Sequence, residues 1–144
     1  MDEYGLLGFP LGHSFSQSHF KEKFDREGID ADYLNFEIAD IAEVLGIIDA
    51  HPHLRGLNVT IPYKEKVIDH LDDVDSEAKS IGAVNTIRIT RQNGKIHLKG
   101  YNTDVVGFTV SIQPLLQPHH SSALVLGTGG ASRAVKHGLQ KLGV

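Results

Sequence analysis

Ser14 and Ser16 stand one residue apart in Gly12-His13-Ser14-Phe15-Ser16, just after a short apolar run. Two hydroxyls that converge beside a helix N-terminus can hold a small anion through charge-assisted hydrogen bonds worth roughly 1.5–3 kcal/mol each. The plain alternative is that one of them caps the helix that follows. Leu57-Asn58-Val59-Thr60-Ile61-Pro62-Tyr63-Lys64 presents an amide, a hydroxyl and an ammonium from a segment otherwise made of core residues. It falls at the carboxyl end of an expected strand, where open α/β sheets place ligands, although a solvated lysine is the plain alternative for Lys64. Gly82-Ala83-Val84-Asn85-Thr86 and Gly100-Tyr101-Asn102-Thr103-Asp104 add two polar clusters at element ends. Each also fits turn chemistry, and Asp104 could simply cap the helix after it. In Gly127-Thr128-Gly129-Gly130-Ala131-Ser132, backbone N–H groups and a helix N-terminus are set where a pyrophosphate could sit, with Ser132 where the common fingerprint has its third glycine. The residue that selects NAD or NADP normally lies about 20 residues further on, past Val144.

Stepping from these groups to the elements that must carry them, Tyr4 to Phe9 reads as a buried strand running into the Pro10 and Gly12 loop. Ser16 can cap a following amphipathic helix with Phe20 and Phe24 on one face and Gly28 as its stop. Tyr33 to Phe36 predicts a strand, and Leu54 to Ile61 a further strand closed by Pro62. Between them, Ile38 to Ala50 predicts a helix with Ile41, Val44, Leu45 and Ile48 inward. Short helices near Tyr63 to Val67 and Asp75 to Ile81 precede Val84 to Arg91 and Lys95 to Tyr101, which flank Gln92-Asn93-Gly94 as a β-hairpin on an antiparallel edge. Asp104 to Leu116 predicts a connecting helix, and the polar stretch Gln117 to Ser122 a boundary. Ala123 to Leu126 is an apolar strand candidate and Ala131 to Leu142 a helix, together the opening βα of a dinucleotide-binding unit. The alternation implies an α/β fold: a mainly parallel sheet flanked by helices with an antiparallel edge hairpin, then the first βα unit of a Rossmann-like domain.

Bulk properties narrow the function. A net charge of −4 over 144 residues, with no long basic run, argues against nucleic acid as partner. There is no cysteine, hence no disulfide or thiolate chemistry. Neither a leader segment nor an 18-residue apolar run is read in the chain, so a cytoplasmic address without membrane contact is expected. The nine histidines lack metal-site spacing, and no metal is expected.

Taken together and in order, Ser14 and Ser16, Asn58-Val59-Thr60 with Pro62 and Lys64, Gly82 to Thr86, Gly100 to Asp104 with Gly107, and the glycine turn resemble the shikimate dehydrogenase family over residues 4 to 144. Gln17 and Thr128 depart from the family's usual proline and alanine. The resemblance implies three regions: a substrate-binding catalytic domain over 1–103, a connecting helix and linker over 104–122, and the start of an NADP-binding domain over 123–144. It implies reversible reduction of 3-dehydroshikimate to shikimate with NADPH, on the route to chorismate and the aromatic amino acids, by a monomer or homodimer. By the same resemblance, Ser14 and Ser16 take the substrate carboxylate, and Asn58, Thr60, Asn85 and Asp104 the ring hydroxyls. Lys64 takes the reacting oxygen, with Lys64 and Asp104 as the catalytic pair, and Gly127, Thr128, Gly129, Gly130, Ala131 and Ser132 take the cofactor. Because a free lysine is protonated at neutral pH, Lys64 suits proton donation better than base catalysis, with Asp104 orienting it. The alternatives are a quinate/shikimate dehydrogenase using NAD, a shikimate-binding module without catalysis, and a purely structural role for the polar clusters.

Overall fold

The computed structural model describes residues 1–12 and 14–144; His13, inside the paired-serine motif, lies outside the described residues. Six strands form one sheet in the order β2-β1-β3-β5-β6-β4, namely β1 (Asp2–Gly8), β2 (Ala31–Glu37), β3 (Leu54–Val59), β4 (Asp73–Val74), β5 (Thr86–Gln92) and β6 (Lys95–Tyr101). β1 lies parallel to β2 and β3, whereas β3–β5 and β5–β6 are antiparallel. The β5–β6 hairpin turns at Asn93 (φ 52°) and Gly94 (φ 74°), the pair of positive φ angles that a tight two-residue hairpin demands. The sequence predicts the hairpin as the sheet's antiparallel edge, and the structure corrects this. β4 pairs in parallel outside β6 through Asp73 and Val74, and Lys99 grips Asp73 at 2.9 Å.

The two faces of the sheet carry separate cores. On one, Leu6, Phe24 and Tyr33 pack under helix α1 (Ser16–Glu27), which ends at Gly28 in the left-handed conformation. On the other, Leu7, Leu57, Val59 and Ile87 meet Val44 and Ile48 of helix α2 (Val44–Ala50) and Ala78 of helix α3 (Ser76–Ile81). The α2 region is shorter than its apolar spacing suggested. Asp40 and Glu43 form a reciprocal capping box that starts the chain on a 3₁₀ turn, Ile41–Glu43, before the α-helix. That shifts Leu45 to the outside, 46% exposed, while Val44 and Ile48 are buried. The helix expected at Tyr63 to Val67 is instead a 3₁₀ segment, Lys66–His70.

Helix α4 (Asp104–Ile112) and a 3₁₀ turn, Gln113–Leu115, replace the single connecting helix. Helix α5 (Gly130–Lys141) follows the glycine turn and packs on α4 and α3, burying Ala134 completely beside Ile81, Ala83 and Val105. The predicted strand Ala123 to Leu126 is not formed: Leu124 and Leu126 are 85% and 84% exposed. A strand exists through its ladder, and among the described residues no strand lies beside this one. No helix is long and apolar enough to cross a membrane.

Candidate functional site

Lys64 and Asp104 meet, 40 residues apart in sequence, with Nζ donating to Oδ2 at 2.6 Å. Their side chains are 16% and 33% exposed, so the pair is half-sheltered yet open on one side. Asp104 opens α4 but does not cap it. That task falls to Asn102, whose Oδ1 accepts from the Val105 N–H at 3.2 Å while its Nδ2 donates to the Ala83 carbonyl at 2.9 Å. Relieved of capping, the Asp104 carboxylate takes Lys64 on one oxygen and the Asn85 amide on the other, at 2.8 Å. Asn85 is buried and saturated: its Nδ2 also reaches Thr103 Oγ1, and its Oδ1 accepts from the Thr103 N–H, each at 2.8 Å.

The backbone around these groups is tied to the sheet ends. Val84 N–H donates to the Lys64 carbonyl at 2.7 Å, Val59 N–H to the Asn85 carbonyl at 2.8 Å, and Thr60 N–H to the Leu7 carbonyl at 2.9 Å. Beside Lys64, the Tyr63 hydroxyl donates to the Ile38 carbonyl at 2.6 Å and anchors the loop in the core; burial pushes this phenol up. An ordered loop of this kind lets a lysine act from a fixed position, since a long flexible side chain would otherwise lose much entropy on being held.

Further along the strand ends, Thr86 Oγ1 donates to Asn85 Oδ1 at 3.1 Å and receives Asn58 Nδ2 at 3.5 Å. Tyr33 donates its hydroxyl to Asn58 Oδ1 at 2.8 Å. One polar line therefore runs from Tyr33 through Asn58, Thr86 and Asn85 to Asp104 and Lys64. Ser14, Ser16 and Thr60 line a separate cleft of about 450 Å³ with Leu6, Leu11 and Phe15. Ser16 does not cap α1 as expected: the helix begins at Ser16 with Phe15 as its N-cap and no side chain capping it, and Ser14 Oγ accepts from the Ser16 N–H at 3.3 Å. Lys64, Asn85 and Asp104 do not line that cleft. Of the predicted residues the structure thus brings Lys64, Asn85 and Asp104 into direct contact and sets Ser14, Ser16 and Thr60 along one cleft, with Asn58 on β3 two residues before Thr60. Sequence reasoning missed Tyr33, Thr86, Asn102 and Thr103 as working members. Asn102-Thr103-Asp104 did carry a signal, because three polar residues stand where one suffices to cap a helix.

At the glycine turn, Gly127 has φ +114° and Gly129 precedes α5 as its N-cap, with no side chain capping the helix. Uncapped N–H groups at the start of a helix suit a phosphate. Gly127, Thr128, Gly129 and Ala131 are exposed and Ser132 is half-buried. Gly130 packs so tightly on the site that a Cβ there would stand 2.8 Å from the Lys64 Cβ and 3.2 Å from the Ala83 Cβ. The turn and the lysine are thus in contact. Arg133, one turn on, pairs with Glu65 at 2.8 Å.

Comparison with known proteins identifies the family. The sequence profile of the shikimate dehydrogenase substrate binding domain matches residues 6–87. A shikimate dehydrogenase (NADP(+)) from Aquifex aeolicus is 44% identical over 143 residues, covering 97% of this chain and 51% of that protein. The crystal structure of shikimate dehydrogenase 1 from Peptoclostridium difficile superposes with a TM-score of 0.86 at 39% identity, over 100% of this chain and 54% of that one. Shikimate 5-dehydrogenase from Thermus thermophilus, solved in complex with NADP(H) and shikimate, gives a TM-score of 0.84 at 35% identity, over 100% and 54%. The chain spans about half the length of the curated relatives it matches. It belongs to the shikimate dehydrogenase family.

Proposed function

We propose that this chain provides the substrate-binding and proton-donating half of an NADP-dependent shikimate dehydrogenase, interconverting 3-dehydroshikimate and shikimate. The observation that carries the proposal is the Lys64–Asp104 pair, held at 2.6 Å by a saturated Asn85 and placed against the glycine-turn helix. NADPH supplies the hydride when bound. The protein's part is to hold a small polyhydroxy carboxylate in place and manage one proton. Lys64, protonated and oriented by Asp104, donates to the oxygen that becomes a hydroxyl and stabilises its developing negative charge. Asn58, Thr60 and Asp104 face the ring hydroxyls, with Asn85, expected there too, spent instead on holding Asp104, and Ser14 and Ser16 bind the carboxylate. Gly127, Thr128, Gly129, Gly130, Ala131 and Ser132 cradle the cofactor's pyrophosphate. Residues 1–103 act as the substrate domain, 104–122 as connection and 123–144 as the start of the cofactor domain.

The test is a pair of steady-state measurements on the full-length protein, one with shikimate and NADP⁺ and the other with quinate and NAD⁺. A clear preference for the first pair supports the proposal. A preference for the second assigns the chain to quinate/shikimate dehydrogenases using NAD, and shikimate binding by calorimetry without turnover makes it a binding module.

A further inference from the structure

Tyr33 lies on β2, outside every motif of the sequence, and the roles proposed above leave it unused. It is 1% exposed and its ring stacks on Phe20, 4.5 Å apart and nearly parallel at 9°. For packing alone phenylalanine would serve, but the hydroxyl is committed at its far end. It donates to Asn58 Oδ1 at 2.8 Å, reaching past β1 to β3. One atom therefore ties a buried residue of β2 to a side chain of β3 read as holding a ring hydroxyl.

The consequence for Asn58 follows from amide chemistry. An asparagine side chain has an acceptor end and a donor end, and nothing intrinsic decides which faces a ligand. With Oδ1 taken by Tyr33, Nδ2 is turned toward Thr86 and the strand ends, 3.5 Å from Thr86 Oγ1. Thr86 Oγ1 in turn donates to Asn85 Oδ1, while Asn85 is held independently by Thr103, so the Lys64–Asp104 pair keeps its own support. Burial pushes the Tyr33 phenol above the usual tyrosine range, which keeps it a donor throughout the pH range of folded proteins.

Building on the function proposed above, we infer that Tyr33 is a positioning residue that sets specificity. Its hydroxyl locks the Asn58 amide with Nδ2 as the ligand-facing donor. The ligand class is a cyclic carboxylate with a ring hydroxyl that accepts a hydrogen bond from that Nδ2.

The experiment compares Tyr33→Phe, Asn58→Ala and the double variant in the full-length protein. Tyr33→Phe should raise the KM for shikimate about fivefold to tenfold, the worth of roughly one hydrogen bond, with kcat and the KM for NADP⁺ within about twofold. The double variant should be no worse than Asn58→Ala alone, because the phenol acts through that amide. Phe20→Leu, which removes the stack and leaves the bond, should lower Tm with the KM within about twofold. An unchanged KM in folded Tyr33→Phe, or full additivity with Asn58→Ala, overturns the inference. Should Tyr33→Phe not fold, 3-fluorotyrosine at position 33, a stronger donor of nearly the same shape, should lower the KM with kcat unchanged; an unmoved KM overturns it. If the unaltered protein does not turn over shikimate, the proposed function fails by itself. The side-chain amide resonances of Asn58 in the ligand-free protein then decide about Tyr33: they should shift in Tyr33→Phe, and if they do not, the inference is wrong.

Discussion

Lys64 is held from several directions: its ammonium by Asp104, its stem by Gly130 and its backbone carbonyl by the Val84 N–H. A side chain so constrained is suited to a role at the transition state, where position and charge matter more than ground-state affinity. Lys64→Ala is expected to lower kcat of the full-length enzyme by roughly a hundredfold or more with a smaller effect on the KM for shikimate. Steady-state kinetics check this, and unchanged turnover would remove Lys64 from the chemistry. Ser14 and Ser16 belong to a different cleft, so their contribution should differ in kind. A carboxylate remote from the reacting carbon is bound alike in ground and transition states, and replacing both serines by alanine should chiefly raise the KM. Because Ser14 Oγ also accepts from the Ser16 N–H where α1 begins, the same variant should lose about 1 kcal/mol of stability, measurable in urea.

At the scale of elements, Arg91 of β5 joins two layers of the fold. Its guanidinium donates to the Leu54 carbonyl at the start of β3 and, at 2.7 and 3.0 Å, to the Ile48 and His51 carbonyls at the end of α2. A cation at a helix C-terminus answers both the unpaired carbonyls and the helix dipole. Arg91→Met should therefore destabilise the fold by about 2–4 kcal/mol, read as a lower urea midpoint with unchanged slope. Sequence alone could not find this bolt, because it depends on β5 lying beside β3. What was legible was local: the apolar run of β1, the Phe20 and Phe24 face and Gly28 stop of α1, and the Asn93-Gly94 turn each declare themselves within a few residues. What escaped was set by distant partners. β4 exists only through its pairing with Lys99 and Gly100, and Ala123 to Leu126 has strand-like residues with no ladder to join. Leu45 was assigned inward from its spacing, and the capping box at Asp40 overruled it. The site divides the same way. Lys64, Asn85 and Asp104 stand in polar clusters visible in the chain, whereas Tyr33 gains its meaning from Asn58, 25 residues away.

Across the whole molecule, order should be graded rather than uniform. β3 is flanked by β1 and β5 and buries Leu54, Leu57 and Val59 almost completely. α5 is secured on one side, by Ala134 in the core it shares with Ile81, Ala83 and Val105 and by the Arg133–Glu65 pair. In native-state hydrogen exchange of residues 1–144, the amides of β3 should be slowest, those of α5 around Ala134 intermediate, and those of 117–129 fastest. Protection of Leu124 and Leu126 equal to that of β3 would contradict the exposed placement of that segment. The contact between Gly130 and Lys64 bears on recombination between dehydrogenases. Glycine turns of the dinucleotide-binding kind look interchangeable as phosphate cradles, but here the turn is also the wall against which the lysine rests. A chimera that imports a turn with any side chain at position 130 would displace Lys64, the proposed proton donor, whatever cofactor its borrowed turn suits, so breeding new cofactor preference into this scaffold must keep that one hydrogen-sized residue.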